Sequence, residues 1–506
     1  MKSKALILLM ILTILGLLSG CENEANPKST ALETNLQPAV TLHFYMFEKE
    51  KKDTKEVLDR VAEASKLNIK LDFKWTGLDK YFRDLEVAIA SNEKIDAFIC
   101  GKPIPEGINF IDMFRDGKIK DLTELLPQYA PDIYKQFSEG DLNSVKVDGK
   151  IAFVPPIIPM LDCLGVNLRK DLANKYNVSS INTYNDYGII LKTIKDNEPK
   201  LIPGTFTNTM SYYDLEMFAN AYGYVILDSK LALVYKWDDP NMKVIPWEQT
   251  PEFRETAGFT GEWVKNGNIA GVDSLAKVGS FAGRYSTYTE GTKTVDAEKG
   301  EKILFNNYLL YKDKKMQRQS PMSYWELSSF ALSSNSENIE RTLEFLNWVQ
   351  SSQENYDLLI YGIQGKHYSL REERIVMPES GGESENTYYG WFSVPFLNIN
   401  FLRDWDDGYD PESGKDVMIR FLNTHSSFAP HEGFYPDYRK IQADCDARIN
   451  LYWEKVIAAI SRGEYDTNQT DGIIEELKNA GTEWIIDETQ RQLDRWRSSN
   501  TANKVE

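Results

Sequence analysis

Past a polar stretch that ends at Gln37, apolar and polar positions switch between two periods. Val40 to Phe47 is rich in apolar residues, alternates in part, and predicts a strand. Asp53-Thr54-Lys55-Glu56 has the form of a helix cap with an acid three residues on. Val57, Val61 and Ala64 then recur at helical spacing. Leu67, Ile69, Leu71, Phe73 and Trp75 alternate strictly, which predicts a second strand. Asp79 is placed to cap a second helix with Phe82, Leu85, Ala88 and Ile89 on one face, and Ile95 to Ile99 predicts a short buried strand. Strand, helix, strand, helix, strand in this order predicts an α/β fold with a parallel sheet wrapped by helices. Open sheets of that kind bind ligands outside the carboxyl ends of their strands. Here those ends are Phe47-Glu48, Trp75-Thr76 and Gly101-Lys102. Neither GxGxxG nor GxxxxGK[ST] occurs, so a nucleotide is not the expected ligand.

Farther along, Val147 to Pro156 predicts a turn, a strand and a proline stop. Leu164 to Asn167 starts another strand, and Arg169 to Leu172 enters a helix. Helices are predicted at Ile189 to Ile194, at Tyr212 to Tyr222, and at Glu252 to Asn266 closed by Gly267. Lys277 to Gly283 and Tyr324 to Leu332 predict strands. Ser334 to Glu337 has the pattern of a capping box before a helix carrying Ile339, Leu343, Leu346 and Val349. Glu373 to Asp416 is glycine-rich, acidic and aromatic, and is expected to be mostly loop. Two long amphipathic helices, Ile441 to Ile460 and Gly472 to Trp496, close the chain, with Trp453, Trp484 and Trp496 expected in the core.

Composition narrows the functional classes. Hydrophobic residues at 42% and charged residues at 26% exclude general disorder and a polytopic membrane protein. The 506 residues suit two large lobes or about three units of ~150 residues. The net charge of −18 speaks against a sequence-independent nucleic-acid binder, which needs basic surface to displace counterions. Aromatics reach 12%, which suits either large cores or a surface on which ligands stack. Residues 1–20 read as a signal peptide: Lys2 and Lys4 precede Ala5 to Leu18, an apolar run too short to span a bilayer. Residues 21–37 follow as a flexible tether. The cysteines beyond Cys21 are Cys100, Cys163 and Cys445. Their spacing matches no zinc or CxxC pattern, and Cys100 is expected as a buried free thiol.

Leu18-Ser19-Gly20-Cys21 resembles the lipobox of bacterial lipoproteins, which implies a diacylglycerol on the Cys21 sulfur and cleavage before it. Two acyl chains, at roughly 0.8 kcal/mol per buried CH₂, anchor a protein firmly. The lipobox, the strand–helix alternation and the stretch DGKIAFVPP…LGVNLRKDL (Asp148 to Leu172) together resemble the extracellular solute-binding proteins of bacterial ABC importers, family-1 type. Glu337 to Ser352 resembles a helix of the same family, and Tyr361 to Tyr368 and Ala480 to Trp496 look like its LipO-like lipoprotein branch. The resemblance implies a type II periplasmic-binding-protein-like fold: two α/β lobes joined by crossing hinge segments, with ligand held between them. Mapped on the chain, lobe one is 38–156 plus 312–365 and lobe two is 157–311 plus 366–506. The implied protein is a monomer on the outer face of the cell membrane, attached through its lipid alone. It captures a small solute, an oligosaccharide first of all, and delivers it to a membrane permease without catalysis or cofactor. A surface glycan-active enzyme and a lipoprotein feeding a sensor kinase are the alternatives.

Sugars present CH faces and a rim of hydroxyls, which aromatic faces and polar side chains match. Arg284, Tyr285 and Tyr288 follow a predicted strand where sugar-binding relatives carry a stacking aromatic; a core tyrosine is the other reading. Trp325 and Glu326 open a hinge-region strand, with Trp325 as a candidate cleft floor. Glu48, Lys102 and Trp75 lie at strand ends, and Trp391 in an aromatic loop that could cover the site. Asp404 to Asp410 is rich in oxygen ligands but lacks EF-hand spacing, which favours a solvated acidic loop. His431-Glu432 fails HExxH, so no metal site is expected. Ser274 to Lys277 matches SxxK without the partner motifs of an acyl-enzyme serine, so no catalytic residue is expected.

Overall fold

The computed structural model describes residues 38–101, 108–158, 160–161, 163–206, 218–270, 277–285, 292–296, 302–310, 316–319, 328–378, 388, 390–406 and 415–502. The first sheet is built as the alternation predicts. β1 (Val40–Phe47) pairs in parallel with β2 (Ile69–Thr76) on one side and with β3 (Ala97–Cys100) on the other. α1 (Thr54–Ser65) and α2 (Leu78–Ala90) are the crossovers. The Asp53 cap does not form. Asp53 takes a left-handed backbone, with φ 65°, and its carboxylate pairs with Lys366 at 3.1 Å and His367 at 3.4 Å instead. Gly77, not Asp79, precedes α2.

After α3 (Phe110–Arg115) and α4 (Glu139–Asn143), the Asp148-Gly149 turn closes a small hairpin of β4 (Lys146–Val147) and β5 (Lys150–Ile151). The chain passes through β6 (Met160–Leu161) into a second sheet. That sheet has the order β13-β14-β7-β12-β8 and holds β7 (Cys163–Arg169), β8 (Ile202–Phe206), β12 (Val278–Tyr285), β13 (Thr292–Asp296) and β14 (Lys302–Leu309). Only β8 and β12 run parallel in it. α5 (Lys170–Lys175), α6 (Tyr184–Asn197) and α7 (Pro251–Lys265) accompany it, and a three-stranded sheet of β9 (Tyr224–Asp228), β10 (Leu233–Lys236) and β11 (Ile245–Pro246) lies between them in sequence.

β15 (Met316–Gln319) leads back to the first sheet, where β16 (Ser329–Leu332) pairs antiparallel with β3. The Ser334–Glu337 capping box is absent. Buried Asp96, just before β3, takes the Ser336 hydroxyl, the Asn338 amide at 3.2 Å and the His43 N–H at 2.8 Å, so the turn is tied to Asp96 instead. α8 (Ile339–Val349) and α9 (Gln353–Ile360) follow. β17 (Ser369–Arg371) and β18 (Arg374–Val376) form a hairpin, and its second strand lies in the region expected as loop. A 3₁₀ turn spans Trp391–Phe396.

α10 (Lys415–His425) leads into β19 (Ser426–Phe428) and the C-terminal helices. α11 (Gln442–Tyr452) continues through a π turn, Trp453–Ala458, to Ser461. The last predicted helix is two, α12 (Thr470–Asn479) and α13 (Thr482–Ala502). They are parted at Gly481, whose φ of 94° suits glycine.

Among the described residues, the buried apolar side chains include two large cores and a smaller third. Leu42, Phe44, Val57, Tyr81 and Phe98 join Phe330, Leu343 and Tyr356 in the first. Val166, Leu168, Tyr187, Leu191 and Phe253 join Tyr452, Val456 and Leu477 in the second. Leu231, Leu233 and Val244 meet Ile441, Ile485 and Leu493 in the third. The sequence places everything after Gly365 in lobe two, and the structure corrects this. Tyr368, Ile375, Tyr388, Phe392 and Phe396 belong to the first core, because its aromatic rings supply their partners, as with Phe330 and Phe396 at 4.8 Å. Trp453 and Trp484, expected buried, are 42% and 53% exposed. No described helix is long and apolar enough to cross a membrane.

Among the described residues, stretches after Val154, after Leu310 and after Trp405 carry the chain between the first core and the other two. They contain β6, β15 and β19, and these three strands pair in one sheet, with β15 in the middle.

Candidate functional site

The carboxyl ends of β1 and β2 bring candidate residues together. Glu48 continues the ladder by donating its N–H to the Thr76 carbonyl at 2.9 Å. Its backbone φ is 99°. Its carboxylate is only 15% exposed; it pairs with Lys51 at 2.8 Å and accepts the Phe392 N–H at 3.1 Å. Trp75, next to last in β2 and opposite Met46, meets the ring of Phe392 edge-on, centroids 5.7 Å apart. Trp391 begins the 3₁₀ turn that presents this N–H and this ring. Ser328, where the chain enters β16, donates its N–H to the carbonyl of Cys100 at the end of β3. The entry to β16 therefore lies at the same edge of the sheet.

Of the residues singled out from the sequence, Glu48, Trp75 and the backbone of Trp391 thus meet in one place. Arg284 and Tyr285 occupy the last two positions of β12, opposite Leu164 and Cys163 of β7. Cys21, Lys102, Tyr288, Trp325 and Glu326 lie outside the described residues. Sequence reasoning missed Lys51, Tyr388, Gly390 and Phe392. The signal for the last three was the run Tyr388-Tyr389-Gly390-Trp391-Phe392, five residues with four aromatics.

Asp404 and Asp406 already have partners. Asp404 accepts the Lys415 N–H at 3.0 Å, and Asp406 takes Arg371 at 2.7 Å and Arg374 at 3.1 Å. The crossing sheet has its own polar surroundings. Arg318 of β15 lies over the Phe428 ring at 4.6 Å and 3.6 Å from Asp141 of α4. Just past β19, burial holds His431 down to about 4, so its neutral ring offers Nδ1 to the Tyr235 hydroxyl at 2.8 Å. Burial, with Asp141 adding its charge, pushes Glu432 up to about 8.

With this geometry established, likeness to known proteins can be judged. A domain of unknown function, DUF3502, matches residues 430–498. A carbohydrate ABC transporter substrate-binding protein of Streptococcus pneumoniae serotype 4 is 23% identical over 495 residues, covering 94% of each chain. The crystal structure of an N-glycan transport solute-binding protein, NgtS, from S. pneumoniae superposes with a TM-score of 0.71 at 20% identity, over 90% of this chain and 98% of that one. A human-milk-oligosaccharide (HMO)-binding solute-binding protein from Bifidobacterium longum infantis gives 0.61 at 13% identity, over 90% and 99%. The fold is therefore the two-lobed α/β fold of solute-binding proteins. The resemblance to the solute-binding proteins of ABC importers read from the sequence is borne out along the chain.

Proposed function

We propose that this chain is the lipid-anchored extracellular binding component of an ABC importer for an oligosaccharide. One observation carries the reading most. Two large cores are joined by a single sheet of three crossing strands, and an aromatic and acidic cluster stands at the strand ends of one lobe. A ligand touching both lobes favours their closed arrangement, and a membrane permease recognises that arrangement. The whole-length similarity to a carbohydrate transporter's binding protein supports a sugar as the cargo.

In this reading Trp75, Tyr285, Tyr288, Trp325 and Trp391 supply ring faces to the sugar, Lys102, Arg284 and Glu326 supply polar groups around it, and Glu48 stands beside them, held by Lys51 and the Phe392 N–H. Cys21 carries the lipid, and the body hangs outside the membrane on residues 22–37 as a monomer. The protein does no chemistry on its ligand and takes no cofactor.

The test is thermal unfolding of the chain from residue 22 onward against a panel that includes Man5GlcNAc, kestose and milk oligosaccharides, with each hit recovered and weighed. Ligand that binds only the folded state at about 100 times its Kd adds about 2.7 kcal/mol. A raised midpoint with the glycan recovered intact is expected. A cleaved glycan would make the protein an enzyme, and no shift with any glycan would remove carbohydrate as the cargo.

A further inference from the structure

Glu48 is held in a way that a ligand-facing carboxylate does not require. Its φ of 99° stands apart from the other described non-glycine residues with positive φ, which fall between 49° and 65°. That backbone is disfavoured for any side chain and persists only where its surroundings fix it. Three contacts fix it: the N–H to Thr76, the Lys51 ammonium, and the Phe392 N–H. Gly390 leaves room for the carboxylate; a Cβ there would lie 2.5 Å from its Oε2. The Gly390 carbonyl in turn accepts the Ser393 hydroxyl at 2.8 Å and the Ser393 N–H at 3.2 Å, which closes the turn.

The same β1–α1 loop grips the segment a second time. Asp53 pairs with His367, whose Nδ1 accepts the Ile363 N–H at 2.9 Å. The imidazole stacks on Tyr388 at 5.5 Å, and Tyr388 donates its hydroxyl to the Leu359 carbonyl at 2.8 Å. Tyr388 and Phe392 are each 2% exposed. Trp391 sits between these two buried pins in sequence.

We propose that Glu48 is a positioning residue: through the Phe392 N–H it fixes the turn that carries Trp391 at the strand ends of lobe one, and so sets how Trp391 meets the ligand. The inference rests on the proposed sugar-binding role for its consequence, but the fixing itself is readable without ligand. A charge-assisted bond to a backbone N–H holds a turn more firmly than a neutral one. Glutamine keeps an acceptor oxygen at this position and alanine removes it.

The first measurement is hydrogen–deuterium exchange by mass spectrometry on the ligand-free protein, read on peptides covering 388–396. Glu48→Ala is expected to speed exchange there about tenfold, while Glu48→Gln stays within about threefold of wild type. Gly390→Ala, which pushes on the same carboxylate, is expected to act like Glu48→Ala and serves as the second variant if Glu48→Ala folds poorly. Unchanged exchange in both Glu48→Ala and Gly390→Ala overturns the proposal.

The second measurement is calorimetric titration with Man5GlcNAc on wild type, Glu48→Ala, Trp391→Ala and the double variant. Glu48→Ala is expected to weaken binding about tenfold when Trp391 is present and less than about twofold when it is not. Equal losses in both backgrounds would make Glu48 a direct contact and overturn the proposal. If wild type binds no glycan, the sugar-binding role fails, and the exchange measurement still decides whether Glu48 fixes the turn.

Discussion

Arg448 has no exposed side-chain surface, and its partners, Leu231, Glu248 and Thr482, lie far apart in the sequence. Its guanidinium donates to the Leu231 carbonyl at 2.9 and 3.2 Å, to the Thr482 hydroxyl at 2.8 Å, and to the Glu248 carboxylate at 3.1 Å, which is itself 1% exposed. One side chain on α11 thus ties β10's approach and the start of α13 together. The energetics of such a pair are asymmetric. Burying two charges costs several kcal/mol, which their attraction and hydrogen bonds offset. Removing one partner strands the other. Arg448→Met is therefore expected to destabilise the protein by about 3–5 kcal/mol, and Arg448→Met with Glu248→Leu to recover most of the loss. Urea unfolding of the three proteins checks this. A double variant as unstable as the single one would show that Leu231 and Thr482, not the charge on Glu248, are what the guanidinium serves.

At the scale of elements, the turn after β19 carries a testable pH dependence. The folded state holds Glu432 protonated up to about 8, against 4.5 ordinarily, so this group's contribution is present at low pH and is lost as pH rises through 8. His431 runs the other way: held down to about 4 from 6.5, it contributes above 6.5 and loses that contribution as pH falls. From about 4.5 to 6.5 the two slopes oppose. From 6.5 to 8 Glu432 acts alone, and stability is expected to fall with rising pH by at most about 1.4 kcal/mol per unit. Urea midpoints across that window check it, and Glu432→Gln flattens the slope. A wild-type slope of zero there would mean that Glu432 ionises freely.

None of that environment is legible in the sequence, where His431-Glu432 reads only as a failed zinc motif. What was legible was local. The alternation of Leu67 to Trp75 predicted β2, and strand-end reasoning brought Glu48 and Trp75 forward. What failed depended on distant partners. The Ser334 capping box gave way to Asp96, which takes Ser336 and Asn338, and Asp53 left its cap for Lys366 and His367, more than 300 residues on. The Phe392 N–H that completes Glu48 is 344 residues away, beyond any periodicity.

At the scale of the whole molecule, the proposed function requires the cores to move about the crossing sheet, and Gly140 lies against one strand of that sheet. It belongs to α4, beside the first core, and its α-carbon lies against the ring of Phe428 on β19 so closely that a Cβ would overlap the ring. Arg318 of β15 completes the arrangement, with its guanidinium over the same ring and within reach of Asp141. Two of the three crossing strands are therefore held to α4 by one glycine, one ring and one ion pair. The cores themselves do not depend on that contact, since neither Gly140 nor Phe428 belongs to them. Gly140→Ala should thus leave the unfolding midpoint of the ligand-free protein within a few degrees of wild type while shifting the balance of lobe arrangements. Small-angle scattering with and without a saturating glycan reads that balance directly. The variant is expected to differ from wild type in radius of gyration without ligand and to converge on it with ligand, because a bound sugar imposes the closed form on both. The same shift appears as a changed Kd, since the population competent to bind enters the apparent affinity as a factor. A variant that scatters and binds as wild type would mean that the lobes turn about an axis that leaves α4 and β19 in place relative to each other, and the control would then lie with β6 and β15 alone.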